Sequence, residues 1–136
     1  MMKLDITSIN FINVFENLTG AKVKDCIIEE GKLVFVVDEA NVSRAIGKNG
    51  ANVNKAKNFM KKEIQIIGFN DDVTKFVSNL LYPVKVEDIK LEGKIVNVSS
   101  KNTAIKGKIF GRNKENLKRI LNIVKRYFDI EEIKIE

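Results

Sequence analysis

A chain of 136 residues with Lys+Arg 24 against Asp+Glu 18, 44% hydrophobic and 31% charged, suits one ordinary globular domain or two very small ones. It has no histidine and a single cysteine, Cys26, which excludes His-based catalysis, His or Cys metal sites and any intramolecular disulfide, so a cytoplasmic protein is expected. No apolar run approaches the ~20 residues that span a bilayer, and Met1-Met2-Lys3-Leu4-Asp5 does not read as a signal peptide.

Asp5 or Thr7 can cap a first helix that Gly20 stops, with Phe11, Val14, Phe15 and Leu18 in one apolar stripe. Residues 21–29 read as a strand and Glu30-Gly31 as a turn. Leu33 to Val37 is apolar on both faces and reads as a central strand. A short helix over 40–46 leads to Gly47-Lys48-Asn49-Gly50. A helix over 51–62 follows, with Val53, Ala56 and Met60 inward, and then a strand over 63–67.

The order then begins again. Asn70-Asp71-Asp72 caps a helix with Val73, Phe76, Val77 and Leu80 inward, ended by Pro83, the only proline. Val84 to Leu91 reads as a strand, Gly93 as a turn and 94–98 as the next strand. A short segment reaches Gly111-Arg112-Asn113-Lys114, and a long helix carries Leu117, Ile120, Leu121, Val124 and Phe128 inward. Residues 133–135 close as a strand. Gly47 and Gly111 are 64 residues apart, so the chain is a repeat with units over 1–69 and 70–136. A longer last helix in the second unit is expected to account for its later final strand.

Charge follows the same repeat. Residues 44–62 hold 6 basic and no acidic side chains, and residues 94–128 hold 10 basic side chains against Glu115 alone. Acidic stretches separate them. Two solvated helix faces would explain this blandly. Two electropositive surfaces for a polyanion, most simply nucleic acid, explain it better, because each block contains one glycine turn. Glycine allows a sharp turn between helices and close approach of another backbone, and the helix N-terminus beyond it favours phosphate. No GxxxxGK[ST] occurs, so this is no nucleotide P-loop.

The turn between two short helices, with apolar strands before and after, resembles the KH module, whose GxxG loop clamps about four single-stranded nucleotides. A helix and strand placed before that core resemble the type II, prokaryotic form. Two such units on so short a chain resemble the archaeal NusA-like transcription factors. The stretches Thr19 to Ile27, Arg44 to Val53, Tyr82 to Val86 and Lys125 to Ile133 carry that resemblance. It implies an α+β fold of two tandem type II KH domains, 1–69 and 70–136, each a three-stranded mixed sheet covered on one face by helices. It also implies a non-catalytic cytoplasmic protein that binds single-stranded RNA, nascent transcript above all, in transcription elongation or termination. No cofactor, metal, membrane or small-molecule substrate is implied. The transcription machinery is a further expected partner. Bacterial relatives add a polymerase-binding domain and an OB-fold for which these 136 residues leave no room, so direct polymerase contact is not expected of them.

The resemblance places Arg44, Ile46, Gly47, Lys48, Asn49, Gly50, Asn52, Val53 and Lys55 at RNA in the first unit. In the second it places Gly111, Arg112, Asn113, Lys114 and Lys118 there. Ile46 and Val53 are also core or rim residues by pattern. Lys114 stands where the last glycine belongs. A lysine in left-handed geometry costs about 1–2 kcal/mol, so this loop is expected to relax to another shape and the first loop to dominate binding. Cys26 reads as a small core hydrophobe, Asp71-Asp72 as a cap and Glu131-Glu132 as the approach to an edge strand. The few aromatics fall mostly on inner stripes, against stacking platforms of the RRM or OB kind. The alternatives are a KH protein of ribosome assembly and a basic module docking an acidic protein.

Overall fold

Asp5 caps the first helix, its carboxylate accepting from the Ser8 N–H at 2.7 Å, and Gly20 ends it at φ 74°. This helix, α1 (Ile6–Thr19), belongs to a computed structural model that describes residues 5–136; residues 1–4, most of the stretch read above against a signal peptide, lie outside the described residues. The chain divides into two units between Asn70 and Asp71.

In the first unit α1 leads to the hairpin β1 (Asp25–Glu29) and β2 (Lys32–Asp38), then to α2 (Val42–Ile46), α3 (Ala51–Met60) and β3 (Glu63–Phe69). The sheet order is β1-β2-β3, with β2 antiparallel to β1 and parallel to β3. As a central strand β2 is buried from Leu33 to Val37, which is why it reads as one apolar run. On one face Leu33, Phe35 and Val37 meet Ile12 and Phe15 of α1, Ala45 of α2, Ala56 of α3 and the core thiol Cys26. Phe15 stacks on Phe35 with centroids 4.2 Å apart. The buried line of α1 is Ser8, Ile12, Phe15 and Thr19, so the helix is turned from the expected stripe, and Phe11, Val14 and Leu18 flank it half-buried. Thr19 can be buried because its hydroxyl donates to the Phe15 carbonyl and accepts from the Ala21 N–H. The strand expected over 21–29 pairs only from Asp25.

The second unit repeats this order with α4 (Val73–Leu81), β4 (Asp88–Glu92), β5 (Ile95–Ser99), α5 (Thr103–Phe110), α6 (Glu115–Lys125) and β6 (Glu132–Ile135). Its sheet runs β4-β5-β6, antiparallel then parallel. Asp72 caps α4 by accepting from Thr74, and Asn102 caps α5 by accepting from Ile105. The strand expected from Val84 begins at Asp88.

The later final strand has another origin than a long helix. α3 and α6 differ by one residue in length (10 against 11), but two residues join α3 to β3 whereas six, 126–131, join α6 to β6. Tyr127 and Phe128 in that join place their rings 5.5 and 5.7 Å from Phe76 of α4, which draws the segment inward before β6 can start. No helix among the described residues is long and apolar enough to cross a membrane.

Candidate nucleic-acid interface

Each parallel pair, β2–β3 and β5–β6, is connected by two helices with a glycine turn between them. Gly47 (φ 79°, ψ 167°) ends α2, Asn49 is left-handed (57°, 28°) and so is Gly50 (77°, 15°). The second turn repeats these angles: Gly111 (69°, 177°), Asn113 (55°, 29°) and Lys114 (61°, 18°). The relaxed shape expected of the second loop is therefore absent. Lys114 takes the left-handed conformation despite its Cβ, and its N–H closes on the Gly111 carbonyl at 3.2 Å as that of Gly50 closes on Gly47 at 3.1 Å. With that goes the backbone ground for ranking the second loop below the first.

The two glycines of the motif do different work. A Cβ on Gly47 would lie 2.7 Å from the Asn52 nitrogen and 2.9 Å from its Cγ, and one on Gly111 would lie 2.6 Å from the Asn116 Cβ. A Cβ on Gly50 would meet nothing closer than 3.7 Å. The first glycine is required by packing, the last only by its dihedrals. That is why lysine can occupy the last position, at a conformational cost, and nothing but glycine occupies the first.

An asparagine holds each turn shut. Asn52, in the first turn of α3, donates from Nδ2 to the Arg44 carbonyl at 2.7 Å and the Thr19 carbonyl at 3.4 Å. Asn116 donates to the Ile109 carbonyl at 3.0 Å and the Lys108 carbonyl at 3.3 Å. These bonds satisfy carbonyls at the ends of α1, α2 and α5 that have no helical donor. Asn116 was not among the expected residues, although shifting Asn52 by the 64-residue repeat finds it.

The expected residues mostly come together. Lys48 and Asn49 are exposed on the first turn, Arg44 one turn before it, with Ile46 (37% exposed) and half-buried Val53 on either side. Arg112, Asn113 and Lys114 are exposed on the second, and Lys118 follows on α6. Lys55 is turned partly to structural use, its Nζ donating to the Leu18 carbonyl at 3.3 Å. Among the described residues, the N–H groups of Lys48, Asn49, Arg112 and Asn113 meet no carbonyl acceptor. The ion pairs fall elsewhere: Lys57–Glu63 at 3.0 Å, Lys94–Asp129 at 3.1 Å, Lys90–Asp88 at 3.6 Å and Lys32–Glu29 at 3.9 Å. Asp129 beside Lys94 pushes that ammonium's pKa up, outside both turns. Each turn thus presents unused amide donors beside cations that no carboxylate neutralises, a surface suited to a phosphate diester.

The KH-domain family model matches residues 12–94. The chain is 34% identical to the probable transcription termination protein NusA of Methanocaldococcus jannaschii, over 98% of this chain and 75% of that one. It is 32% identical to the protein of the same name from Methanococcus vannielii (98% and 79%) and 28% identical to that from Halococcus morrhuae (97% and 96%). Among solved structures, the crystal structure of APE1850 is similar with a TM-score of 0.79 and 26% identity, covering 98% of this chain and all of that one.

Proposed function

This chain belongs to the KH-domain family and is NusA-like over nearly its whole length, and from that premise we propose that it is a non-catalytic factor of transcription termination or elongation that binds single-stranded RNA, the nascent transcript. The observation that carries the reading is the duplicated turn, with amide donors that meet no carbonyl and cations that meet no carboxylate in both copies. The helix–strand–strand–helix–turn–helix–strand order supports a type II KH domain in each of 1–69 and 70–136. In the first, Gly47 to Gly50 grip the sugar-phosphate backbone, helped by Arg44 and Lys48. Asn52 keeps the turn in shape, and Ile46 and Val53 offer an apolar floor to bases. In the second, Gly111 to Lys114 and Lys118 do the same work. The work is cytoplasmic and uses no cofactor.

The test is binding of a short labelled oligoribonucleotide, followed by anisotropy, with thermal melts as the folding control. Lys48→Asp with Asn49→Asp keeps both glycines and sets two negative charges against phosphate. Affinity should fall roughly ten- to hundredfold, since a charge-assisted hydrogen bond contributes about 1.5–3 kcal/mol. Arg112→Asp with Asn113→Asp should also weaken binding. Unchanged affinity in both folded double variants, or tighter binding to duplex than to single strands, would overturn the reading.

A further inference from the structure

The 64-residue repeat sets each residue of the second turn against one of the first, and two of the differences are neighbours in space. Phe110 stands where the first unit has Ile46, and Lys114 where it has Gly50. Phe110 is the last residue of α5, immediately before the turn glycine. Its neighbour Ile109 is 1% exposed and belongs to the core, whereas Phe110 is only half-buried. The face of its ring carries the Lys114 Nζ, 6.0 Å from the centroid. Arg112 and Lys118 lie exposed on the same turn and the helix after it.

We propose that the Phe110 ring is the base-stacking platform of the second turn, capped by Lys114 in the free protein and uncovered when a nucleobase takes the lysine's place. The inference rests on the RNA-binding reading above and adds a residue and a contact to it. A phenyl face attracts a cation only weakly at an exposed site, so a flat base, with its larger contact area, displaces the ammonium easily. The freed ammonium stays on the turn beside Arg112, where the phosphate of the same nucleotide lies. Both departures from the first turn thus become parts of one device. The first turn offers a bare backbone and an aliphatic floor at Ile46. The second offers an aromatic floor and a mobile charge, and it suits a stacked, unpaired base of any identity.

The substitution Phe110→Leu keeps an apolar side chain of similar reach and removes the π-face. It should lower affinity for single-stranded RNA by about 5- to 150-fold, the range of one lost base–aromatic stack. The slope of log K against log salt should not change, because stacking releases no counterion, whereas Lys114→Gly should reduce that slope by about 0.7. Because the chain has no tryptophan, Phe110→Trp creates a single indole reporter. It should bind at least as well as the unmodified chain, with fluorescence quenched by RNA. Should Phe110→Leu fail to fold, photocrosslinking of RNA carrying 5-iodouracil to the unmodified chain decides, with an adduct expected at Phe110. Affinity of folded Phe110→Leu equal to that of the unmodified chain, an unquenched indole in saturating RNA, or adducts only elsewhere would each overturn the stacking and leave the RNA-binding reading standing. An unmodified chain that binds no RNA would overturn both.

Discussion

Replacing Gly47 and Gly50 separately by alanine distinguishes a packing requirement from a dihedral one. At Gly50 (φ 77°, ψ 15°) the new Cβ has no neighbour within 3.7 Å, so Gly50→Ala carries only the left-handed penalty, about 1–2 kcal/mol. At Gly47 the pair φ 79°, ψ 167° lies in a region that is nearly glycine's alone, which costs about 1–3 kcal/mol for a residue with a side chain. The Cβ also comes 2.7 Å from the Asn52 nitrogen, a backbone atom in the first turn of α3. Relief requires moving that turn and straining the 2.7 Å bond from Asn52 to the Arg44 carbonyl, an overpacking cost of about 1–3 kcal/mol more. Gly47→Ala should therefore destabilise by roughly 2–6 kcal/mol and Gly50→Ala by roughly 1–2 kcal/mol. Equilibrium urea unfolding followed by circular dichroism measures both. The same contrast holds in the second unit, where Gly111→Ala should be severe and Lys114→Gly should stabilise by about 1 kcal/mol. If Gly47→Ala proved no more destabilising than Gly50→Ala, the clash at Asn52 would not be what demands the first glycine.

Asn52→Asp should harm the first turn more than Asn52→Ala, because it sets carboxylate oxygens against the carbonyls of Arg44 and Thr19, while alanine loses two donors worth about 1 kcal/mol each; hydrogen exchange of the α3 amides reads the difference. RNA affinity should fall with salt at a slope of about −2 to −3.5 in log–log terms, the result of ~3–5 neutralised phosphates on a single strand, and a flat titration would contradict it. The Thr74 hydroxyl and N–H hold the Asp72 carboxyl below the ordinary aspartate pKa. Its folded value is the depressed one, so its contribution is present above the unfolded pKa and lost as pH falls through the folded pKa. Asp72→Asn should flatten that acid limb of the stability curve, and carbon-detected NMR of the Asp72 carboxyl should give the low pKa directly.

Local physics accounts for much of this chain. The order of elements, the Asp5 and Asp72 caps, the central position of Leu33 to Val37 and the 64-residue repeat all follow from periodicity, capping chemistry and glycine placement within a few residues. The proposed site is legible for the same reason: Gly47 to Gly50 with Arg44 and Lys48 form one contiguous stretch. The rest depends on contacts between residues far apart in the chain. The buried line of α1 is centred on Ile12 and Phe15 because the ring of Phe15 must lie on Phe35, a residue 20 positions away. The join before β6 is long because Tyr127 and Phe128 reach Phe76. Asn52 and Lys55, read as RNA contacts, also donate to carbonyls at the end of α1, more than 30 residues earlier. Lys114 shows the limit most clearly. Its dihedral preference argues for a relaxed loop, but Ile109 of α5 and Ile120 of α6 are both buried, and the bonds of Asn116 to Lys108 and Ile109 hold α6 against the end of α5. A penalty of about 1–2 kcal/mol at one residue is smaller than the cost of releasing those helices, so the turn keeps its shape and the lysine conforms.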